Sequence, residues 1–199
     1  RGNQSMTPET LHSVFEASLN QLEVSDPSRT LRSEAMASFN KLGYPTKKHE
    51  NWRYTDLKPI VKAKLDPTPK SLTTDQIKQS NRLLETSLLD ADAARLVLVD
   101  GVPLSNAQTL SDIQGLTILG HKQTWQRIGE LQSMELFQRH PLAALNTAFT
   151  SSGILIKLRE NTNVEQPLHL VFISAQTTNK ATQPRILIDI GAGSKLTIV

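Results

Sequence analysis

Cysteine is absent from the chain. That excludes a disulfide framework, a thiolate nucleophile and any cysteine-ligated metal, and it fits a reducing compartment. Aromatic residues are scarce, at 5% of the total. No apolar run approaches the ~20 residues of a membrane-spanning helix. The opening residues lack the charged-then-apolar pattern of a signal peptide, so the expected setting is the cytoplasm. What is present, 199 residues with 38% hydrophobic and 21% charged side chains, suits one large folded domain or two small ones and is enough to bury a core without staples. Residues Arg1–Ser5 carry no pattern. They are expected to be an appended stretch, with Met6 as the natural start.

Charge is small overall but unevenly spread. The formal net charge is +3, yet Lys41–Lys64 holds seven basic residues (Lys41, Lys47, Lys48, Arg53, Lys58, Lys62, Lys64) against two acids, Glu50 and Asp56. Such a patch either meets phosphate or an acidic partner, or is a solvated loop.

Periodicity divides the chain into helical and stranded parts. Thr7, Pro8 and Glu9 read as a helix start, followed by an apolar stripe of Leu11, Val14, Phe15, Leu19 and Leu22. A second helix is predicted from Asp26-Pro27, with Leu31, Ala35, Phe39 and Leu42 on one face and Gly43 ending it. The two stripes are expected to pack together. Pro45, Pro59, Pro67 and Pro69 forbid a long helix over Tyr44–Pro69, leaving a connector with a short helical turn near Thr55–Leu57. Thr73-Thr74-Asp75-Gln76 is a capping box opening a third helix, with Ile77, Leu84 and Leu88 on its apolar side. Arg95–Val99 and Val102–Leu104 flank Asp100-Gly101, a hairpin signal that places Pro103 on an edge strand. Leu116–Leu119 reads as a strand. Trp125, Ile128 and Leu131 suggest a helix after Gly120, and His140–Thr150 another, with Leu142, Leu145 and Phe149 on its packed side. After Gly153 come only short β-rich runs: Ile154–Leu158, Leu168–Ser174, Arg185–Ile190 and Lys195–Val199. In the third of these, Ile186, Ile188 and Ile190 share a face. Strands without intervening helices mean a sandwich, a barrel or a β-solenoid, and spacing does not choose among them.

No catalytic constellation emerges. Trp52-Arg53-Tyr54, beside Lys47, Lys48, His49 and Glu50, could stack a base or flavin and hold a phosphate. The structural alternative makes Trp52 and Tyr54 anchors for the connector, with Arg53 paired to an acid. The five histidines (His12, His49, His121, His140, His169) stand at no metal-binding spacing. His169 is the one expected on a strand. Gly191-Ala192-Gly193 lacks the third glycine and the helix of a phosphate loop, so it reads as a turn. Ser151-Ser152-Gly153 has no nucleophile-elbow context.

Several segments, in order, resemble the SufB/SufD family. Arg32-Ser33-Glu34-Ala35 through Phe39, then Leu42-Gly43 and Pro45, leading into Lys48-His49-Glu50-Asn51-Trp52-Arg53-Tyr54-Thr55-Asp56-Leu57, resembles the family's amino-terminal signature. Leu96-Val97-Leu98-Val99-Asp100-Gly101 resembles its strand-and-turn, and Pro141–Phe149 its entry to the core. Gly153–Lys157 and Gln166–Leu170 resemble the first rungs of a β-helix. The early helical segment and the short Trp-Arg-Tyr-Thr form favour the SufD branch. The resemblance implies an α+β fold: an amino-terminal helical region followed by the first rungs of a right-handed parallel β-helix, truncated at Val199. The expected division is 6–93 (helical region with proline-rich connector), 94–150 (a small α/β segment) and 151–199 (the incomplete β-helix).

The implied function is a non-catalytic scaffold or partner subunit of the Suf iron–sulfur cluster assembly complex, with no enzyme activity. SufB and the ATPase SufC are the implied partners of the full-length protein. Their contact regions, and the family's functional histidine, are expected beyond Val199. No catalytic, cofactor or metal residue carries over, and no cofactor is expected in this chain. The cut solenoid edge suggests self-association, with Lys195–Val199 disordered or paired with a neighbouring chain. Two rivals come from other classes. A carbohydrate-active β-helix enzyme needs paired carboxylates, and Glu160, Glu165 and Asp189 show no pairing. A nucleic-acid module would use Lys41–Lys64 with Trp52 and Tyr54.

Overall fold

The structure, a computed structural model, describes residues 8–63, 66–67, 71–86, 94–104, 110, 113–130, 134–150, 152–175 and 180–199. Expectations resting on Thr7, Lys64, Pro69, Leu88, Leu131, Ser151 and Thr177 lie outside them. The described elements are helices α1 (Pro8–Leu19), α2 (Arg29–Leu42), α3 (Lys58–Lys62) and α4 (Thr74–Thr86), strands β1 (Ala94–Val99), β2 (Val102–Pro103) and β3 (Leu116–Leu119), helices α5 (His121–Glu130), α6 (Met134–Arg139) and α7 (Pro141–Phe149), and strands β4 (Gly153–Leu158), β5 (Leu168–Ile173) and β6 (Arg185–Ile190). The class is mixed α+β. Two compact units are formed, each from several stretches of chain. None of the described helices is long and apolar enough to cross a membrane.

The first unit is helical. The predicted α1 stripe is buried at Leu11, Phe15 and Leu19, with Val14 and Leu22 packed at its margin. Ala35, Met36 and Phe39 of α2 join it, as do Phe137 of α6 and Ala144, Ala148 and Phe149 of α7. Phe15 and Phe149 meet edge to face at 5.9 Å. The packing differs from expectation in its main partner. α2 lies mostly against α7, less against α1. Its buried face is accordingly Arg32, Ala35, Met36 and Phe39, and Leu42 is exposed.

α2 also starts later than predicted. The Asp26 carboxylate accepts the backbone N–H of Ser28 at 2.8 Å, and Arg29 N–H bonds back to the Asp26 carbonyl at 3.2 Å. These bonds hold residues 26–28 in a turn, so helical bonding begins with Arg32 N–H to the Ser28 carbonyl. Gly43 ends the helix as expected, at φ 68, where a left-handed backbone favours glycine.

The second unit contains two three-stranded sheets, ordered β2-β1-β5 and β3-β4-β6. Asp100 (φ 49) and Gly101 (φ 81) make the tight turn between β1 and β2, and Pro103 sits on the edge strand. α4 opens with the predicted capping box. The Gln76 side-chain oxygen accepts Thr73 N–H at 2.9 Å, and Thr73 Oγ1 accepts Gln76 N–H at 3.3 Å. Ala94, Leu96 and Leu98 from one sheet and Ile154, Ile156 and Leu158 from the other share one buried cluster with Leu116, Val164 and Leu168. Val97 and Val99 point the other way, into a smaller cluster with Leu104 that Leu72, Ile77 and Leu84 border. β1 is therefore apolar on both faces.

The order of pairing departs from a simple meander. β1 runs parallel to β5, with Ala94 opposite Leu168 and Val99 opposite Ile173. β4 runs parallel to β6, with Gly153 opposite Arg185 and Leu158 opposite Ile190. The same parallel sense continues through the bridges Asn163↔Lys195 and Leu168↔Ile198. The intervening turns also stack. Asn161 N–H bonds to the Ala192 carbonyl at 2.9 Å, and Thr162 N–H to Ser194 Oγ at 3.0 Å. Asn161 (φ 53) and Gly193 (φ 71) adopt the same left-handed conformation. Gly191 passes so close to the lower turn that a Cβ there would lie 2.3 Å from the Glu160 nitrogen. A side chain at position 191 would therefore force the two turns apart.

The expectation for Lys195–Val199 needs correction. This segment pairs within its own chain: Leu168 N–H bonds to the Thr197 carbonyl at 2.9 Å, and Val199 N–H to the Leu168 carbonyl at 3.0 Å. Backbone groups of β5 are free to accept it because only one side of β5 is taken by β1.

Candidate functional site

The connector departs in part from the anchor reading. A single 3-10 turn spans Glu50–Trp52 and leads to α3, which lies just past the predicted Thr55–Leu57. Pro59 is tolerated because it falls in the first turn of α3, where no helical N–H is needed. The Asp56 carboxylate accepts the Lys58 N–H at 3.0 Å and so caps that turn. Trp52 is half-buried, but Tyr54 is 92% exposed, so Tyr54 is no anchor. Arg53 has no carboxylate partner among the described residues; its guanidinium lies over the Tyr54 ring at 5.8 Å from the centroid. The side chains that hold the connector are instead Pro45 and Leu57, which are buried, and Tyr44, which meets Phe39 edge to face at 5.0 Å.

The histidines remain dispersed. His49 Nδ1 accepts the Thr46 N–H at 3.0 Å, closing a local turn. His12 lies on α1 within 3.9 Å of Glu16, and His169 lies on β5 opposite Arg95. No cluster of three or more histidine, aspartate or glutamate side chains able to hold a metal occurs among the described residues. Ser152 donates its hydroxyl to the Gly101 carbonyl at 2.5 Å. Glu160 stands in the turn after β4, Glu165 before β5, and Asp189 on β6 opposite Lys157.

Arg32, read from the sequence only as part of the family-like segment, has a structural role that sequence reasoning missed. It is 1% exposed. Its Nε donates to the Ala148 carbonyl at 2.7 Å, and a terminal nitrogen donates to Ser18 Oγ at 3.1 Å. One guanidinium thereby ties α1, α2 and the end of α7, where a cation meets the negative pole of a helix. Burial pulls its pKa down to about 10, with Asp26 acting in the opposite direction. Arg29 does similar work outside the core, donating to the Leu19 and Leu22 carbonyls at 2.6 and 3.1 Å. Neither arginine faces a reacting group. Both are structural ties.

What stands out as a surface is the open edge of the strand unit. Ile188 and Ile190 share the face of Ile156 and Leu158, yet they are 44% and 39% exposed. Phe172 on β5 is 56% exposed and Val199 more so. The shared face of Ile186, Ile188 and Ile190 is thus half-buried at Ile186 and exposed at the other two, and no described strand lies beyond β6.

Comparison with known proteins gives this arrangement a context. Residues 7–170 match the model of the SufBD protein N-terminal region. The chain belongs to the SufBD family. It is also 22% identical, over 97% of its length, to an iron–sulfur cluster assembly SufBD family protein of Synechocystis sp. (strain ATCC 27184 / PCC 6803 / Kazusa). The chain spans about half the length of that relative, 47%. The SufBD match takes in the connector, the helical unit's core, the hairpin and the first parallel strands. The stacked turns at Gly191–Ser194 and the exposed row on β6 lie after it.

Proposed function

We propose that the chain is part of a non-catalytic scaffold subunit of iron–sulfur cluster assembly, of the SufD type. The observation that carries this reading is the parallel stacking of residues 185–198 on 153–168. Strand lies over strand and turn over turn, as successive coils of a parallel β-helix require. Each coil contributes two strands, β4 with β5 and then β6 with Lys195–Val199. Such an element presents a long, regular surface and holds partners in register. Family membership supplies the process, and the short Trp52-Arg53-Tyr54-Thr55 form favours SufD over SufB.

In this reading the subunit is cytoplasmic, and the full-length protein works with SufB and the ATPase SufC through surfaces outside this chain. The exposed Ile188 and Ile190 on β6 are where further coils stack, or where a second chain pairs. Deleting the full-length gene should lower the activity of iron–sulfur enzymes, and the full-length product should co-purify with SufB and SufC. Unimpaired cluster enzymes, with no Suf subunit retained, would reject the role. The chain by itself should not retain SufC; stable capture would move that contact into residues 1–199.

A further inference from the structure

The connector encloses a hollow that the scaffold role does not use. Its volume is about 670 Å³, and its described lining comes from residues 44–62. Tyr44, Pro45, Leu57 and Val61 give it an apolar wall. Lys47, Lys48, Lys58 and Lys62 surround that wall. The wall is held by short backbone bonds, including His49 N–H to the Thr46 carbonyl at 2.9 Å and Val61 N–H to the Leu57 carbonyl at 3.0 Å.

The charge balance is lopsided. Asp56 is the only carboxylate among the described lining residues, and it is already engaged. It caps Lys58 N–H and lies 3.7 Å from Lys47 Nζ. The backbone bond from Lys58, helped by the charges of Lys47 and Lys58, holds its carboxyl below the usual carboxylate range. Lys48, Lys58 and Lys62 form no ion pair among the described residues, and of these three only Lys58 acts on Asp56 through its charge. These like charges repel one another beside the apolar side chains of Leu57 and Val61. An anion with an apolar body relieves both costs at once, its head neutralising the lysines while its body covers Leu57 and Val61. The volume falls within the ~300–1,000 Å³ of small-molecule sites.

We propose that this hollow binds a small organic anion: a phosphate, sulfonate or carboxylate head on an aryl or acyl body. A compact ligand is favoured over a macromolecule because one connector supplies the described lining, whereas a stable protein interface covers roughly 800 Å² per partner.

The test uses the full chain and 8-anilinonaphthalene-1-sulfonate as probe, read by amide chemical shifts in ¹H–¹⁵N NMR spectra and by fluorescence titration. Shifts should concentrate in Tyr44–Lys62. The K58Q/K62Q double variant, at two exposed positions, should bind the probe about fivefold to tenfold more weakly. The charge-matched K78Q/K122Q variant should bind it unchanged, and inorganic phosphate should compete only weakly, since it lacks the apolar body. Shifts confined to Phe172, Ile188 and Ile190, or equal weakening in both double variants, would overturn the proposal. So would tighter binding of a thymidine oligonucleotide to the same residues with a steep salt dependence, which would assign the lysines to nucleic acid.

Discussion

The helical unit and the strand unit bury similar side chains but finish their cores differently. In the helical unit the core is closed by a charge. Arg32 bridges Ser18 of α1 and the last turn of α7, and Leu11, Phe15, Phe39 and Phe149 pack around that tie. In the strand unit the core is closed on one side by β1 and β3 and stays open on the other, where Ile188 and Ile190 continue a buried row into solvent. A bundle is finished by whatever satisfies its helix ends. A stack of strands has no intrinsic end, and its last member shows what the next would cover.

The sharpest way to break this contrast is to remove the tie. Arg32→Ala should destabilise the chain by about 3–5 kcal/mol, because it leaves a buried carbonyl unpaired and opens a cavity. Urea unfolding midpoints measure this, and a loss below about 1 kcal/mol would make Arg32 incidental. Next comes a pair on one face. Ile156→Ala should cost about 2–4 kcal/mol, while Ile188→Ala, its parallel neighbour, should cost less than about 1.5 kcal/mol. Equal losses would mean that β6 is covered in solution. Gly191→Ala should cost about 1–3 kcal/mol through the clash with Glu160, with a local rise in amide exchange over 159–163. Thr73→Ala should cost about 1 kcal/mol through the lost α4 cap.

The smallest effect is a pH dependence. Asp56 is held below its ordinary pKa chiefly by the Lys58 N–H. Its contribution is therefore present above the unfolded-state value and is lost as pH falls through the lower folded-state value. Asp56→Asn should lower the urea midpoint slightly at pH 7, and the difference should vanish in strong acid. A gap that persists there would assign the effect to side-chain geometry.

Local signals were the legible part of the sequence. Gly43, the Thr73–Gln76 box and the Asp100-Gly101 turn each need particular residues at particular backbone angles, so they could be read from a few neighbours. The apolar stripe of α1 and the strands after Gly153 were legible by period. Arg32 was not, because a lone arginine on a helix looks solvent-facing until Ala148, far along the chain, supplies its acceptor. The start of α2 was misplaced because Asp26-Pro27 resembles a helix start, whereas the Asp26 carboxylate stabilises a turn there instead. α6 left no clear signal in so short a span. Trp52 and Tyr54 drew attention as aromatics, yet the plainer Pro45 and Leu57 hold the connector. Beyond the β1–β2 hairpin, spacing did not reveal strand partners, since β1 with β5 and β4 with β6 are matched by tertiary packing and not by adjacency.

Absence of cysteine makes the stacking directly testable. In a chain with no competing thiols, cysteines placed by Lys157→Cys and Asp189→Cys lie on facing parallel positions, within the Cα separation a disulfide allows. Mild oxidation should link this pair within one chain and leave Lys157→Cys with Arg185→Cys unlinked. Linkage of the second pair in preference to the first would mean that the last strands fold back antiparallel, and the stacked-coil account would fail.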